Sequence, residues 1–339
     1  MSISNHVKNG GGMTGTMSTS MVGTTPPVAA SKPTVTVIVC TYNRIQWLSK
    51  CLRSLEEQDP HPDEIMVVDG PSNDGTREML ELLESKGDIV LVKQPKLDGI
   101  SSARNLGLAM AKSDIVCYID DDAIAQPGWL RSILEMYSEE DVGGGGGPVM
   151  NMIGELTMGK NAVAPNGEWF DESRGECTDG LAQVMVGCNM SFRRDALAGI
   201  GGFDPYFKYH QDETDACLGV LHAGYRILYH EGAVVWHEWC EGSYRKDRIK
   251  WYLRLRYMWG RNNSYLVRKH FSDRVGFSEY FGSRMAGFVE RRVPRGIIEK
   301  HEAKQENDGG GMPAFFIAMG MVSETYGLLK GWRDGGHAR

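Results

Sequence analysis

Thr34-Val-Thr-Val-Ile-Val-Cys40 is β-branched and almost wholly apolar. A strand with one wet face alternates apolar and polar residues. A run without that alternation predicts a strand covered on both faces, as in the middle of a parallel sheet. Outward from it, the chain predicts a helix from about Ile45 to Gln58, with Trp47, Leu48, Cys51, Leu52 and Leu55 on one side. Pro60 and Pro62 close that helix off. Glu64-Ile-Met-Val-Val-Asp69 reads as a second buried strand, and Gly70-Pro-Ser-Asn-Asp-Gly75 as the turn behind it. A helix from Thr76 to about Ser85, a strand over Ile89 to Val92, a helix over Ile100 to Ala111 and a strand over Ile115 to Ile119 continue the alternation. This rhythm predicts an α/β fold, a doubly wound and mostly parallel sheet with right-handed crossovers. Ligands of such sheets collect beyond the carboxyl ends of the strands. Those ends carry Thr41-Tyr42-Asn43-Arg44, Asp69 and Asp120-Asp121-Asp122.

The 339 residues suffice for one large domain, or one domain with an appendage. With 41% hydrophobic and 24% charged residues the chain can bury a core. A net charge of -7 argues against nucleic acid as a partner, because phosphate-binding surfaces carry a basic surplus. The charge is uneven: residues 244–300 hold fifteen Lys and Arg against five Asp and Glu. Seven scattered cysteines without a CxxC pair predict reduced thiols in a cytoplasmic setting rather than a disulfide frame or a zinc site. Residues 1–32, rich in Gly, Ser, Thr and Met, predict a disordered tail without the apolar stretch of a signal peptide. No window reaches the roughly 18 apolar residues of a membrane span, and Met312 to Val322 comes nearest. The run Gly143 to Gly147 matches neither phosphate-binding glycine pattern and predicts a close-approach segment beside a substrate or a flexible link, the link foremost.

The strongest chemical feature is Asp120-Asp121-Asp122 at a strand end. Three adjacent carboxylates repel each other and are costly to bury unless a cation compensates. Oxygen donors favour a hard divalent ion, Mg²⁺ or Mn²⁺, with coordination positions left for phosphate oxygens. Asp212-Glu213-Thr214-Asp215 leads into a predicted helix over Ala216 to Ala223; it suits a general base and equally suits the positive end of the helix dipole. His237, behind the apolar run at Val234, suits a third metal ligand, a diphosphate contact or a buried structural histidine. Asp69 is placed to accept a hydrogen bond from a base, and Arg104 to pair with phosphate.

The order of these pieces resembles the family 2 glycosyltransferases, which have the GT-A fold. The resemblance rests on Val37-Ile-Val-Cys-Thr-Tyr-Asn-Arg44, Val67-Val-Asp-Gly-Pro-Ser-Asn-Asp-Gly-Thr76, Ala103-Arg-Asn-Leu-Gly107, Ile119-Asp-Asp-Asp122, Gly187-Cys-Asn-Met-Ser-Phe-Arg-Arg194, Gly201-Gly-Phe-Asp204 and Asp212-Glu-Thr-Asp215. It implies an inverting, metal-assisted transfer of a sugar from a nucleotide-diphosphate donor, UDP-sugar foremost, to a hydroxyl of a glycan or lipid-linked acceptor. Asp120 and Asp122 match the DxD element, so that Asp122, Asp120 and His237 become the expected metal ligands. Thr41, Tyr42, Asn43, Arg44, Asp69, Asp98, Arg104, Asp120 and Asp121 become the expected nucleotide-sugar contacts. The base in the family is usually the second acid of a Glu-Asp pair. Here the order is inverted, so Glu213 takes that position and Asp212 stands in reserve. Asn189 and Asp215 are assigned to the acceptor side.

The resemblance divides the chain into the tail (1–32), a GT-A domain (33–240, with halves 33–122 and 123–240) and a basic helical extension (241–339). In that extension Trp251, Leu255, Met258 and Trp259 recur at helical spacing among Arg and Lys. Such a helix either lies on an anionic membrane or packs on the core with a charged outer face. The first alternative predicts a cytoplasmic enzyme that is peripheral on the inner face of the plasma membrane through 244–332. Two rival readings are a sugar-phosphate nucleotidyltransferase and a non-catalytic nucleotide-sugar binding protein. The nucleotidyltransferase needs a basic glycine-rich loop where Thr41 to Arg44 stand. The binding protein leaves the two acidic clusters without a task.

Overall fold

Strand β1 (Val35–Thr41) is an interior strand of a seven-stranded sheet, third from one edge. In the computed structural model the described residues are 32–176, 181–238, 248–286 and 314–336; the tail expected over 1–32 lies outside them, apart from Lys32. The first half follows the expected alternation: α1 (Ile45–Glu56), β2 (Glu64–Asp69), α2 (Thr76–Lys86), β3 (Val90–Lys93), α3 (Ile100–Met110) and β4 (Ile115–Asp120). β1 pairs in parallel with both β2 and β4, so Thr41 lies opposite Asp69, and Cys40 opposite Asp120. Both faces of this strand are indeed covered. Val35, Val37 and Val39 join Leu48 and Leu55 of α1 in one core cluster, while Ile38 joins Ala103 of α3 in the other.

The second half is less regular. β5 (Ala123–Ala125), α4 (Trp129–Met136), β6 (Val142–Gly146), β7 (Val149–Met150), β8 (Leu156–Met158), β9 (Asn161–Val163), β10 (Trp169–Asp171) and β11 (Ala182–Val184) come first. Then follow β12 (Asn189–Arg193), α5 (Arg194–Gly199), α6 (Asp212–His222), β13 (Arg226–Tyr229) and β14 (Val235–His237). β12 runs antiparallel to both β4 and β6, which makes the large sheet mixed. β14 pairs antiparallel with β5, in the small sheet β5-β14-β7-β8, and this pairing sets His237 opposite Ala123.

The glycine run is not a flexible link. Gly143 to Gly146 belong to β6, buried throughout between β12 and β13. A Cβ on Gly143 would come within 2.5 Å of the Tyr225 side chain, one on Gly145 within 2.7 Å of Met136, and one on Gly146 within 2.4 Å of the Asn189 carbonyl oxygen. The neighbours fill the space that side chains would take. Absence of Cβ is here a packing requirement, not a source of flexibility.

The extension contributes α7 (Arg248–Phe271), α8 (277–286, as far as the described residues reach) and α9 (Ala314–Gly335). α7 and α9 meet along glycines. A Cβ on Gly327 would lie 2.2 Å from the Tyr257 carbonyl oxygen, and one on Gly331 1.9 Å from that of Arg261. Glu324 of α9, 1% exposed, is ion-paired with Arg256 of α7 and with Arg284, whose Nη2 is 3.1 Å away. α7 is tied in turn to the sheet half: Lys269 Nζ lies 2.9 Å from carboxylate oxygens of Asp204 and Asp215, and Asn262 Nδ2 donates to the carbonyls of Tyr209 (2.8 Å) and His210 (3.1 Å).

Candidate active site

The parallel strands β1, β2 and β4 end on one edge, and their last residues bring the first group of carboxylates together. At the end of β4, Asp121 accepts a 2.7 Å hydrogen bond from the Thr41 hydroxyl. Asp122 is bound by Arg44, with Nη1 at 2.6 Å from Oδ2. His237 reaches the same carboxylates from β14: Nε2 is 3.2 Å from Asp122 Oδ1 and 3.6 Å from Asp120 Oδ2. Burial pushes the Asp121 carboxyl up to about 7, against the pull of Arg44 and Thr41. For Asp122 burial also disfavours charge, yet His237 and Arg44 outweigh it and hold the carboxyl down at about 2. Burial works against the His237 cation, but the flanking Asp120 and Asp122 carboxylates prevail and hold the ring up at about 9. Positive charge is thus concentrated where the aspartates need compensation.

A divalent cation would meet the same need. Carboxylate oxygen of Asp120, Sγ of Cys188 and a ring nitrogen of His237 lie within 4.8 Å of one another. The carboxylates by themselves suit Mg²⁺ or Mn²⁺, and imidazole and thiolate donors beside them suit a borderline divalent ion such as Co²⁺ or Zn²⁺. Of the expected ligands, Asp120 and His237 stand in this trio, and Asp122 touches His237 while paired with Arg44. Nothing in the sequence singles out Cys188 from the other scattered, reduced thiols. It sits in the tight turn between Val186 and Asn189, beside the end of β4.

Arg104 of α3 joins this group to the second acidic cluster. It is 5% exposed, and its guanidinium donates to Asp212 Oδ2 (2.6 Å), to the Gly187 carbonyl (2.9 Å) and to Asp120 Oδ1 (3.4 Å). A Cβ on Gly187 would sit 3.0 Å from Nη2, so glycine there leaves room for the arginine. Burial opposes the charge of Arg104, but Asp212 and Asp120 keep it firmly protonated. Glu213, next along α6, has its carboxyl raised well above the usual glutamate range by burial and then by the Asp212 carboxylate. The turn that delivers α6 is strained, with His210 and Gln211 at φ 62° and 69°. Non-glycine residues are uncommon there, and two in succession mark a backbone held by its surroundings. Gln211 Oε1 and Thr214 Oγ1 are buried without a hydrogen-bond partner.

The sequence pattern of the family "Glycosyl transferase family 2" matches residues 36–201, which includes the ends of β1, β2 and β4. The chain belongs to this family. A glucosyl-dolichyl phosphate glucuronosyltransferase of Haloferax volcanii is 29% identical over 228 residues, covering 60% of this chain and 69% of that protein. A pre-mycofactocin glycosyltransferase of Mycobacterium tuberculosis is 28% identical over 63% of this chain, which spans only 44% of that relative. Among solved structures, the mannosyltransferase PcManGT from Pyrobaculum calidifontis, in complex with GDP-Man and Mn²⁺, aligns with TM-score 0.54 at 19% identity over 90% of this chain and 88% of that one. GalNAc-T7 with UDP, GalNAc and Mn²⁺ aligns with TM-score 0.54 at 14% identity over 78% of this chain and 58% of that one. The fold is GT-A and the chain is a glycosyltransferase.

The other expected contacts of this family 2 transferase are spread around the same edge. Asn43, at φ 55°, accepts the Asn73 amide at 2.8 Å and stiffens the loop after β1. Tyr42 lies against Gly70, behind β2. Asp69 is fully buried, accepting from Ser72 (2.6 Å) and from Arg77, an arginine that sequence reasoning did not single out. Asp98 is ion-paired with Lys208 at the rim. The two residues assigned to the acceptor side have structural neighbours instead. Asn189 accepts from Trp129 Nε1 (2.9 Å) and donates to the Ala233 carbonyl (2.8 Å), locking β12 to the small sheet. Asp215 faces α7, held by Lys269 and by His270 Nε2 at 2.7 Å. Asp215 lies about one helical turn after Asp212, yet its partners are on α7, whereas Asp212 is paired with Arg104.

Proposed function

We propose that this transferase moves a sugar from a nucleoside-diphosphate donor, UDP-sugar foremost, to a hydroxyl of a glycan or lipid-linked acceptor with inversion at the anomeric carbon. The observation that carries this reading is Arg104, whose single guanidinium holds both Asp120 and Asp212. It sets the carboxylates of the donor side next to those that can take a proton. The donors and Mn²⁺ in the two solved neighbours support the same assignment.

In this reading Thr41, Asp69 and the loop around Asn43 hold the nucleoside, and Asp120, Asp122 and His237 hold a divalent cation. When bound, the cation neutralises charge developing on the diphosphate. Glu213, with its raised pKa, accepts the proton of the acceptor hydroxyl. The acceptor oxygen bonds to the anomeric carbon as the bond to the phosphate oxygen breaks, and that electron pair leaves with the diphosphate. Arg104 pairs with Asp212 and fixes it beside Glu213. The test is transfer from UDP-, GDP- and dTDP-sugars to a panel of glycosides, with product configuration read by NMR. Transfer from one donor class with inversion is expected; a retained anomeric configuration would sink the single-base mechanism.

A peripheral membrane contact through 244–332 belongs to the same proposal. On α9, Met319, Val322, Tyr326 and Leu329 recur at helical spacing and are exposed, Val322 to 71%. Lys250 and Arg254 on α7 are exposed as well. An apolar stripe near basic side chains suits the headgroup region of an anionic bilayer.

A further inference from the structure

Cys188 stands where a thiol has little reason to be unless it binds something. Its side chain is 3% exposed, and its sulfur lies within 4.8 Å of both the Asp120 carboxylate and the His237 ring. A buried cysteine normally behaves as a small apolar residue among apolar neighbours. Here the neighbours are a carboxylate and an imidazole.

We propose that Cys188 is a sulfur ligand of the divalent cation, so that the centre is a mixed oxygen, nitrogen and sulfur site that prefers borderline ions such as Co²⁺ and Zn²⁺ to the hard ions Mg²⁺ and Mn²⁺. The proposal rests on the metal-assisted reading above and goes beyond its aspartate and histidine ligands. Metal bonds of about 2.0–2.3 Å put tetrahedral donors roughly 3.4 Å apart. The spread of 4.8 Å therefore needs a contraction of the order of 1 Å, within reach of side-chain rotation. The thiol sits at the tip of the turn joining Val186 to Asn189, and Asn189 is bonded to Ala233 and Trp129, so its backbone is firmly placed. On ligation the S–H bond breaks, the sulfur–metal bond forms and the proton leaves to solvent. Mg²⁺ and Mn²⁺ favour oxygen donors, whereas Co²⁺ and Zn²⁺ accept sulfur and still take phosphate oxygens. The donor set thus selects the ion from the protein side.

The experiment is a Co²⁺ titration of the full chain followed by absorption spectroscopy. Visible d–d bands report Co²⁺ in the centre, and a near-ultraviolet sulfur-to-cobalt charge-transfer band reports thiolate ligation. Both sets of bands are expected in the native protein. In Cys188→Ser and Cys188→Ala the d–d bands should persist and the charge-transfer band vanish, whereas Cys40→Ser, changing the thiol beside Asp120 on β1, should keep it. Co²⁺ affinity should fall about tenfold or more in the Cys188 variants, with Mg²⁺ affinity changed far less. Visible bands without a charge-transfer band in the native protein would overturn the sulfur ligand while leaving the metal reading intact. No Co²⁺ bands at all, with no heat of Mn²⁺ binding, would overturn the metal reading itself and the proposal with it. A charge-transfer band that survives in both Cys188 variants but is lost in Cys40→Ser would assign the sulfur to the wrong residue here.

Discussion

Glu213 carries the sharpest consequence at the scale of single residues. Its carboxyl is held above the glutamate value of 4.5 by burial and by Asp212. A base acts in its ionised form, so the rate rises with pH through that raised value and falls as acid protonates it. We expect kcat/KM to climb along a single limb lying above the ordinary carboxylate range, with little activity left at pH 5. Glu213→Gln should lower kcat by about 10²–10⁴ and leave donor diphosphate affinity nearly unchanged. A variant that keeps native turnover would return the base assignment to Asp212. The acidic clusters were legible in the sequence because like charges do not gather at a strand end without a task. Their partners were not. Arg44 reaches Asp122 from 78 positions away and Arg104 reaches Asp212 from 108, distances that no local pattern encodes. Cys188 was hidden for the same reason, and Asn189 and Asp215 were read as facing a substrate when their hydrogen bonds face protein.

Elements differ in how openly the sequence declares them. β1 to β4 and the helices between them follow from apolar runs and from turns rich in glycine and asparagine, and their observed ends fall within two residues of those expected. β6 shows the opposite case. Its sequence Val142-Gly-Gly-Gly-Gly146 has no strand propensity, and pairing with β12 and β13 overrides that. The strand is held by close approach, so adding a methyl group should be costly. Gly146→Ala, which would set a Cβ 2.4 Å from the Asn189 carbonyl oxygen, should lose about 1–3 kcal/mol in chemical denaturation. Gly199→Ala, at the end of α5 with nothing within 4 Å of the added atom, is the control and should lose nothing. Equal stability of the two variants would mean that β6 is packed more loosely than described.

At the scale of the whole molecule, the extension is joined to the sheet through a shared apolar core, in which Leu266, Phe271 and Leu328 meet Phe203 and Phe207, and through charge. Lys269 and His270 of α7 hold Asp215, and Lys269 also holds Asp204, whose carboxyl burial alone would raise but which Lys269 and the Tyr206 amide keep below its usual range. A depressed carboxylate pKa stabilises the fold above its unfolded value and loses that contribution as the pH falls through the folded one. α7 therefore ties the acceptor half to α9, and among the described residues no helix is long and apolar enough to cross a membrane. Among the described residues, the exposed apolar stripe on α9 is the surface on which the proposed lipid contact rests. Vesicles of anionic phospholipid should carry the native protein upward in flotation, and Val322→Asp with Tyr326→Asp should leave it at the bottom of the gradient. Equal flotation of both would remove α9 from the contact.

The proposed chemistry depends on the cleft being a metal-assisted donor site, and calorimetry of nucleoside diphosphates measures that directly. UDP, GDP and dTDP would each be titrated into the protein with Mn²⁺, with Mg²⁺ and with EDTA, and the best binder repeated on Asp122→Ala. One diphosphate should bind with Mn²⁺, stabilising the fold by roughly 2.7 kcal/mol at about 100 times its dissociation constant, and EDTA or Asp122→Ala should abolish the heat. Binding that is indifferent to EDTA and to Asp122→Ala, or the absence of binding under every condition, would contradict the account.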